Sequence, residues 1–488
     1  MNYNHKRKYK NLTVVLMVLL ILTYIVVLGS LSIGRHNAFA SGFDLGNMDS
    51  TVWNTIQGRI FMLSQDGKMI SRFSVHADLI LILLSPLYFL WNNVRMLILS
   101  ESVFLAIGAI PVYLLSTKIL KNKLLSLSIV ILYLLNPGMQ WTDIYDFHGV
   151  SLAIPFLLFS FYFAYTKKWK WYAVFIFLAL ITKEQISLTV ALFGLFIALV
   201  FKEKKVGLIT FMAGILWFLL MVFVVMPRFS PEGKHWALSW YQFIDTTGIP
   251  KSLPTLKILL ENFLFSPDAI GYYISLLKPF AFLPLAGLPW LVLALPELTV
   301  NMLSSHGQMR SIVFHYDSVI TPWLVIATIF GLFYLQELFK KIQRTNKYSQ
   351  YLVYGITLMV LLFALRFNYH YSPLPTTPSC WCFMYQPTKE DKEFEALLQK
   401  IPQDASITAS PEIRPHTTHR EKAFTLPVAT ASADFIALID QNRMVGNYDP
   451  KDFELRLRDQ LKTSKDYALV KHTGHFYLYK RADYKYEF

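Results

Sequence analysis

Charged residues make up only 16% of this 488-residue chain, whereas 54% of its residues are hydrophobic. An average soluble protein carries about 25% charged residues. A deficit of that size excludes a soluble cytosolic enzyme, because aqueous globular cores could not hide so much apolar surface. Cysteine is almost absent. With Cys380 and Cys382 the only two, no disulfide framework and no four-cysteine metal site can be built, and both are expected as free or interfacial thiols. Acid is the scarcer sign of charge, 32 residues against 46 lysines and arginines, for a net charge of +14. No internal repeat is evident, which argues against the repeat-built transporter folds.

What the chain has is long apolar runs. They approach the roughly 17–25 residues that a bilayer-spanning helix needs, with charge confined between them. The first, residues 12–33, follows a basic stretch from His5 to Lys10 and reads as a retained anchor with a cytoplasmic N terminus. Later spans are expected near 95–117, 124–140, 148–166, 171–183, 186–201, 206–226, 270–284, 286–303, 318–338 and 350–368. The expectation is a polytopic α-helical membrane protein with about 11 transmembrane helices. Segment 77–91 is also apolar. If it does not cross, the lysine clusters at 118–123, 167–170, 202–205 and 340–347 all fall on the N-terminal side, as the bias of cytoplasmic loops demands. It is therefore read as a juxtamembrane, re-entrant or interfacial helix on the outer face. The positive charge becomes a signal of topology, and no nucleic-acid partner is implied.

This count leaves 34–76, 227–269 and everything after about 369 outside. The expected organisation is a cytoplasmic N terminus at 1–11, a transmembrane domain at 12–368, a linker at 369–390 and an extracytoplasmic soluble α/β domain at 391–488. Short strands are expected at 405–410, 424–427 and 434–440, and a helix starting at Asp449-Pro450. A closing hairpin is expected around Gly474.

Ionisable residues near hydrocarbon are costly and read by default as functional. Asp44 and Asp49 enter a helix at the membrane surface, where either can also serve as its cap. His76 and Asp78 open the interfacial helix, as ligand contacts or as a polar cap. The loop at 140–149 holds Asp143, Asp146 and His148, a set able to ligate a divalent metal such as Mg or Mn, to position a sugar, or to bind phosphate through a metal. Its alternative is a polar connection with aromatic anchors. Lys183 and Glu184 either neutralise each other or hold an anionic phosphate. Arg310, His315 and Tyr316 mark a further outer connection, and Glu101 is a lone acid within a span. His416 and His419 are expected on a solvated loop, with packing over the membrane part or a metal role as the alternatives. Individually weak, these clusters share one face of the bilayer, and that co-location outlines a cavity.

The run Phe43-Asp44-Leu45-Gly46, with Trp53-Asn54, Gly58-Arg59, His76, Ser85-Pro86-Leu87-Tyr88, Asp146-Phe147-His148 and Thr182-Lys183-Glu184, resembles a bacterial family of predicted membrane proteins without assigned function, domain of unknown function 2079. Leu283-Pro284-Leu285, Leu295-Pro296 and His315-Tyr316 extend the resemblance over about residues 12–330. That family in turn looks like a distant branch of the GT-C glycosyltransferases. The resemblance implies a GT-C-like fold in a bacterial plasma membrane and transfer of a sugar from a polyprenyl-phosphate donor to an extracytoplasmic acceptor. It also implies that Asp44 is the acidic residue of the first outer loop, with Asp49 second, and that Asp143 and Asp146 stand for the second-loop acidic motif. The chain lacks the paired Asp-Glu of the protein mannosyltransferases, which leaves the acceptor class open. A lipid or solute transporter or flippase, or a non-catalytic envelope-assembly protein, are the competing readings.

Overall fold

The computed structural model describes residues 2–65, 68–241, 260–342, 346–443 and 451–486, with the side chains of 2–11, 262, 263 and 346 left aside. The chain opens with the 36-residue helix α1 (Asn2–Asn37), followed by α2 (Phe43–Ile56). Among the described residues six helices are long and apolar enough to cross a membrane: Leu12–Asn37, Arg95–Leu120, Lys204–Phe229, Leu283–Leu303, Thr321–Lys341 and Ser349–Tyr371. Lys123–Leu134 and Pro137–Tyr145, bent by 44° at their junction, make a seventh if they act as one span.

The expectation of about eleven spans exceeds this number. At 148–166, 171–183 and 186–201 the structure has the shorter helices Gly149–Tyr165, Trp169–Leu180 and Ile186–Leu199. Apolar sequence predicts apolar surroundings, and a protein interior supplies them as well as lipid does. Ile154, Leu157 and Phe161, for example, are fully buried against protein. Segment 77–91 contains only Ile80–Phe89, too short to span.

Local chemistry sets the helix boundaries. Asn136 accepts from the amides of Gly138 and Met139, with Pro137 at the first helical position, which produces the break before Pro137–Tyr145. Helices Ile186–Leu199 and Lys204–Leu220 pack backbone to backbone through glycine. A Cβ on Gly194 would lie 2.3 Å from the Phe211 amide nitrogen, and one on Gly214 would lie 2.5 Å from the Ser187 carbonyl oxygen. Small residues permit this approach in membrane bundles, and Glu184 at the head of one helix lines the same cavity as Phe218 and Val222 from its neighbour and that helix's continuation.

Strands β1 (Met62–Gln65) and β2 (Lys68–Ser71) pair antiparallel after α2. The C-terminal region forms a five-stranded mixed sheet from β3 (Ile407–Ala409), β4 (Ala423–Thr425), β5 (Phe435–Ile439), β6 (Tyr467–Thr473) and β7 (Phe476–Arg481), in the order β4-β3-β5-β7-β6. β3 runs parallel to both β4 and β5, while β7 is antiparallel to β5 and β6. Helices Lys389–Leu398 and Asp452–Lys462 accompany it. The helix start at Asp449-Pro450 lies outside the described residues.

One expectation for this region is corrected and another is decided between its alternatives. Cys380 and Cys382 are joined as a disulfide across Trp381, with Cα atoms 5.1 Å apart and so within bridging reach. Residues 411–421 pack over the membrane part, the alternative to a solvated loop. Arg414 is fully buried, His416 lies in a stack with His36 and Phe39, and His419 meets Asp49. The sheet region is therefore seated on the helical bundle at the end that carries α2.

Candidate functional site

A cavity of about 750 Å³ opens at that same end of the bundle. Asp44, His76, Asp78 and His148 line it, joined from later in the chain by Lys183, Glu184, His315 and Tyr316. Five separate stretches of sequence thus converge on one space. Apolar residues also line it, among them Leu188, Phe218 and Val222, contributed by the glycine-packed helix pair and its continuation.

Asp44 lies in the first turn of α2, where the positive end of the helix favours a carboxylate. Its position depends on Asp146. That carboxylate accepts from Arg35 Nη1 at 2.9 Å, near the end of α1, and from the Gly42 amide at 2.9 Å, just before α2. The Asp44 side chain is 37% exposed, and its nearest titratable neighbour is His148 Nε2 at 3.9 Å. His148 Nδ1 faces the Asp146 carbonyl at 2.9 Å and donates to it in the neutral imidazole, so the nitrogen turned toward Asp44 carries a lone pair. Among the described residues Asp44 accepts no hydrogen bond, which leaves its carboxylate available to a ligand.

The cationic residues of the cavity wall differ sharply. Arg72 is buried, and its guanidinium is spent on Asp78, with Nη2–Oδ2 at 2.8 Å and Nε–Oδ1 at 3.0 Å. The cap and ligand readings of Asp78 thus give way to an ion pair. Lys183 is not neutralised by Glu184. The Glu184 carboxylate accepts instead from His76 Nδ1 at 2.9 Å, the Ala77 amide at 3.0 Å and His235 Nε2 at 3.0 Å. Burial acts to raise the Glu184 pKa, but the two histidines outweigh it and hold the carboxyl well below its ordinary range. Burial in turn lowers that of His76, against the pull of Glu184. Among the described residues no carboxylate forms an ion pair with Lys183, whose ammonium lines the cavity.

Four expected site residues lie elsewhere. Asp49 is fully buried on the far side of α2, accepting from Tyr88 Oη, Thr418 Oγ1 and His419 Nε2. Five helical positions turn it about 140° from Asp44. Asp143 accepts from Ser102 Oγ at 2.6 Å inside the bundle, and Asp146 serves Arg35 and Gly42, so the proposed Asp143, Asp146 and His148 metal set is not gathered about one point. Arg310 Nη1 donates to the Ser304 carbonyl at 2.7 Å and does not line the cavity. The residue that sequence reasoning missed is His235, the one histidine in 227–269. Its ring completes a cluster with His76 and Glu184 whose ligand atoms lie within 4.8 Å of one another.

Fold and site together define a multi-pass helical membrane protein with a polar-headed, apolar-walled cavity at one end. The chain belongs to the family described as "Predicted membrane protein (DUF2079)", which matches residues 35–483. No curated protein matches it. Among solved structures it is similar to ArnT from Cupriavidus metallidurans, whose crystal structure is bound to undecaprenyl phosphate. The identity is 11%, the TM-score 0.53, and the match covers 96% of this chain and 97% of that one. At that identity the likeness is one of fold.

Proposed function

We propose that the protein is a membrane glycosyltransferase that takes a sugar from a polyprenyl-phosphate donor and transfers it to an extracytoplasmic acceptor. The observation that carries this reading is the pairing, in one cavity, of an unneutralised ammonium with an available carboxylate, backed by an apolar wall. Each part has a task. Lys183 holds the lipid phosphate, an ammonium being a competent point-charge partner for it. The Leu188, Phe218 and Val222 wall leads the isoprenoid chain toward the bilayer. Asp44 takes the proton of the acceptor hydroxyl as the new bond to the anomeric carbon forms. Negative charge then grows on the departing lipid phosphate, where a fixed cation lowers the barrier. The fold shared with ArnT, a protein seen with undecaprenyl phosphate, supports a lipid phosphate as ligand. The disulfide supports placing the C-terminal side in an oxidising, extracytoplasmic compartment.

The test is sugar transfer and sugar release from a radiolabelled polyprenyl-phosphate sugar by the full chain in lipid. Asp44→Asn lowers transfer by about 10²–10⁴-fold, the usual worth of a positioned base, without loss of folded protein. Lys183→Met raises the donor KM by about ten- to a hundredfold, in line with the ~1.5–3 kcal/mol of a charged hydrogen bond, and Lys183→Arg restores part of it. Wild-type transfer by Asp44→Asn removes the assigned base. Lipid movement across vesicles without sugar release would favour a flippase.

A further inference from the structure

We propose that His76, Glu184 and His235 form a zinc site in the cavity wall, with its fourth position turned toward the phosphate that Lys183 holds. The proposal deepens the reading above and rests on it for that phosphate. The three donors come from three distant segments: the stretch before helix Ile80–Leu84, the turn before helix Ile186–Leu199, and the segment that follows Phe229. Random convergence of two imidazoles and a carboxylate is uncommon, and these line the cavity with donor atoms 2.9 and 3.0 Å from the same Glu184 oxygen. Ligands of a tetrahedral zinc with bonds near 2.0–2.1 Å stand roughly 3.3 Å apart, so the two Glu184 contacts open slightly and the imidazole nitrogens adjust within their 4.8 Å limit to seat the ion.

Ligand chemistry selects the metal. Two imidazoles with one carboxylate suit zinc, whereas Mg and Mn, the ions named from the sequence, favour all-oxygen shells. Three protein ligands with an open position is the arrangement of a site that meets a ligand, as opposed to a closed structural one. The supporting contacts are in place. The Ala77 amide holds the second Glu184 oxygen at 3.0 Å, which orients the first.

Loading has a stated cost. His76 moves its proton from Nδ1 to the Nε2 edge, with no net charge change. His235 accepts from the Ala237 amide through Nδ1 at 3.0 Å, so it must shift its proton to that nitrogen and release the amide. Zinc binding therefore repositions the start of the turn Trp236–Trp240, which also lines the cavity.

The experiment uses the full chain in detergent, stripped with a chelator and reloaded with zinc chloride or cobalt chloride, without donor or acceptor. Mass-spectrometric metal analysis is expected to give one zinc per chain, and cobalt is expected to show the visible bands of a tetrahedral site. His76→Ala and His235→Ala weaken zinc binding by more than about a hundredfold, since supporting residues alone cost 10–100-fold. His306→Ala, on the same cavity wall, keeps it. Substoichiometric zinc in the unaltered chain, or unchanged affinity in His235→Ala, overturns the proposal without recourse to any other variant. Absence of zinc binding by the unaltered chain, with its sugar release retained, would sink the metal site alone, and stoichiometric zinc without sugar release would sink the transferase reading alone.

Discussion

Asp44 and Asp49 sit five residues apart on α2 and serve opposite bodies: the first faces the cavity, the second is enclosed by Tyr88, Thr418 and His419. His419 also stacks on Trp53 of the same helix, with ring centroids 5.8 Å apart. Gly46 lets the C-terminal region come close, since a Cβ there would lie 2.9 Å from Arg414 Cγ. The helix that presents the candidate base is thus gripped from behind by the sheet region.

Asp49→Asn should therefore loosen docking. The amide can satisfy fewer of the three donors, and each buried group left unmet costs about 1–3 kcal/mol. The expected result is a lower melting temperature and faster proteolytic separation of the C-terminal region, in contrast to Asp44→Asn, which keeps both near wild type. Equal stability of the two variants would remove the division of roles. His419→Ala should reproduce the loosening in part.

Acid should weaken the C-terminal region itself through Glu395, which pairs with His416 of that region and with Arg95 of the bundle. Burial acts to raise its pKa, but His416 and Arg95 outweigh that and hold it at about 2, below the ordinary 4.5. Between those values the unfolded chain binds more protons than the folded one, so stability rises with pH across the window. The contribution is complete above about pH 4.5 and is lost as pH falls toward about 2. Hydrogen exchange in helix Lys389–Leu398, followed from pH 6 to 3, reads it, and Glu395→Gln should flatten that dependence. An unchanged profile in the variant would discard this origin.

Gly194→Ala tests the backbone contact between helices Ile186–Leu199 and Lys204–Leu220. With a Cβ placed 2.3 Å from the Phe211 nitrogen, the helices must part, at a cost of about 1–3 kcal/mol. A fall in thermal stability with an elevated donor KM is expected, because the pair carries both Glu184 and the apolar wall. Wild-type melting would show that the pair yields without cost.

Much of the site was legible in the sequence because polar residues beside hydrocarbon are conspicuous. Asp44, His76, Lys183, Glu184, His148 and His315 all stood out for that reason, and all line the cavity. What sequence could not show was who pairs with whom. Nothing in the order of residues says that Asp78 is consumed by Arg72, or that Glu184 turns from adjacent Lys183 to His76 and His235. The angle between Asp44 and Asp49 was readable once the segment was taken as helix. His235 left only a faint signal, a lone histidine beside a tryptophan in a long polar stretch. The expected spans at 148–166, 171–183 and 186–201 are apolar in sequence and fall on helices shorter than the six long ones, because turns at 166–168, 181–185 and 200–203 trim them.

The carboxylate of Asp146 joins the end of α1 to the beginning of α2. The candidate span Leu12–Asn37 of α1 ends in the polar Arg35-His36-Asn37, and its apolar run 12–33 rises about 33 Å, close to a hydrocarbon core of about 30 Å. A tilt imposed on α1 by a bilayer of different thickness is passed through Arg35 and Gly42 to the short helix bearing Asp44. Acyl length in the surrounding lipid then becomes a variable of the chemistry, and turnover compared between thin and thick reconstituted bilayers would expose it.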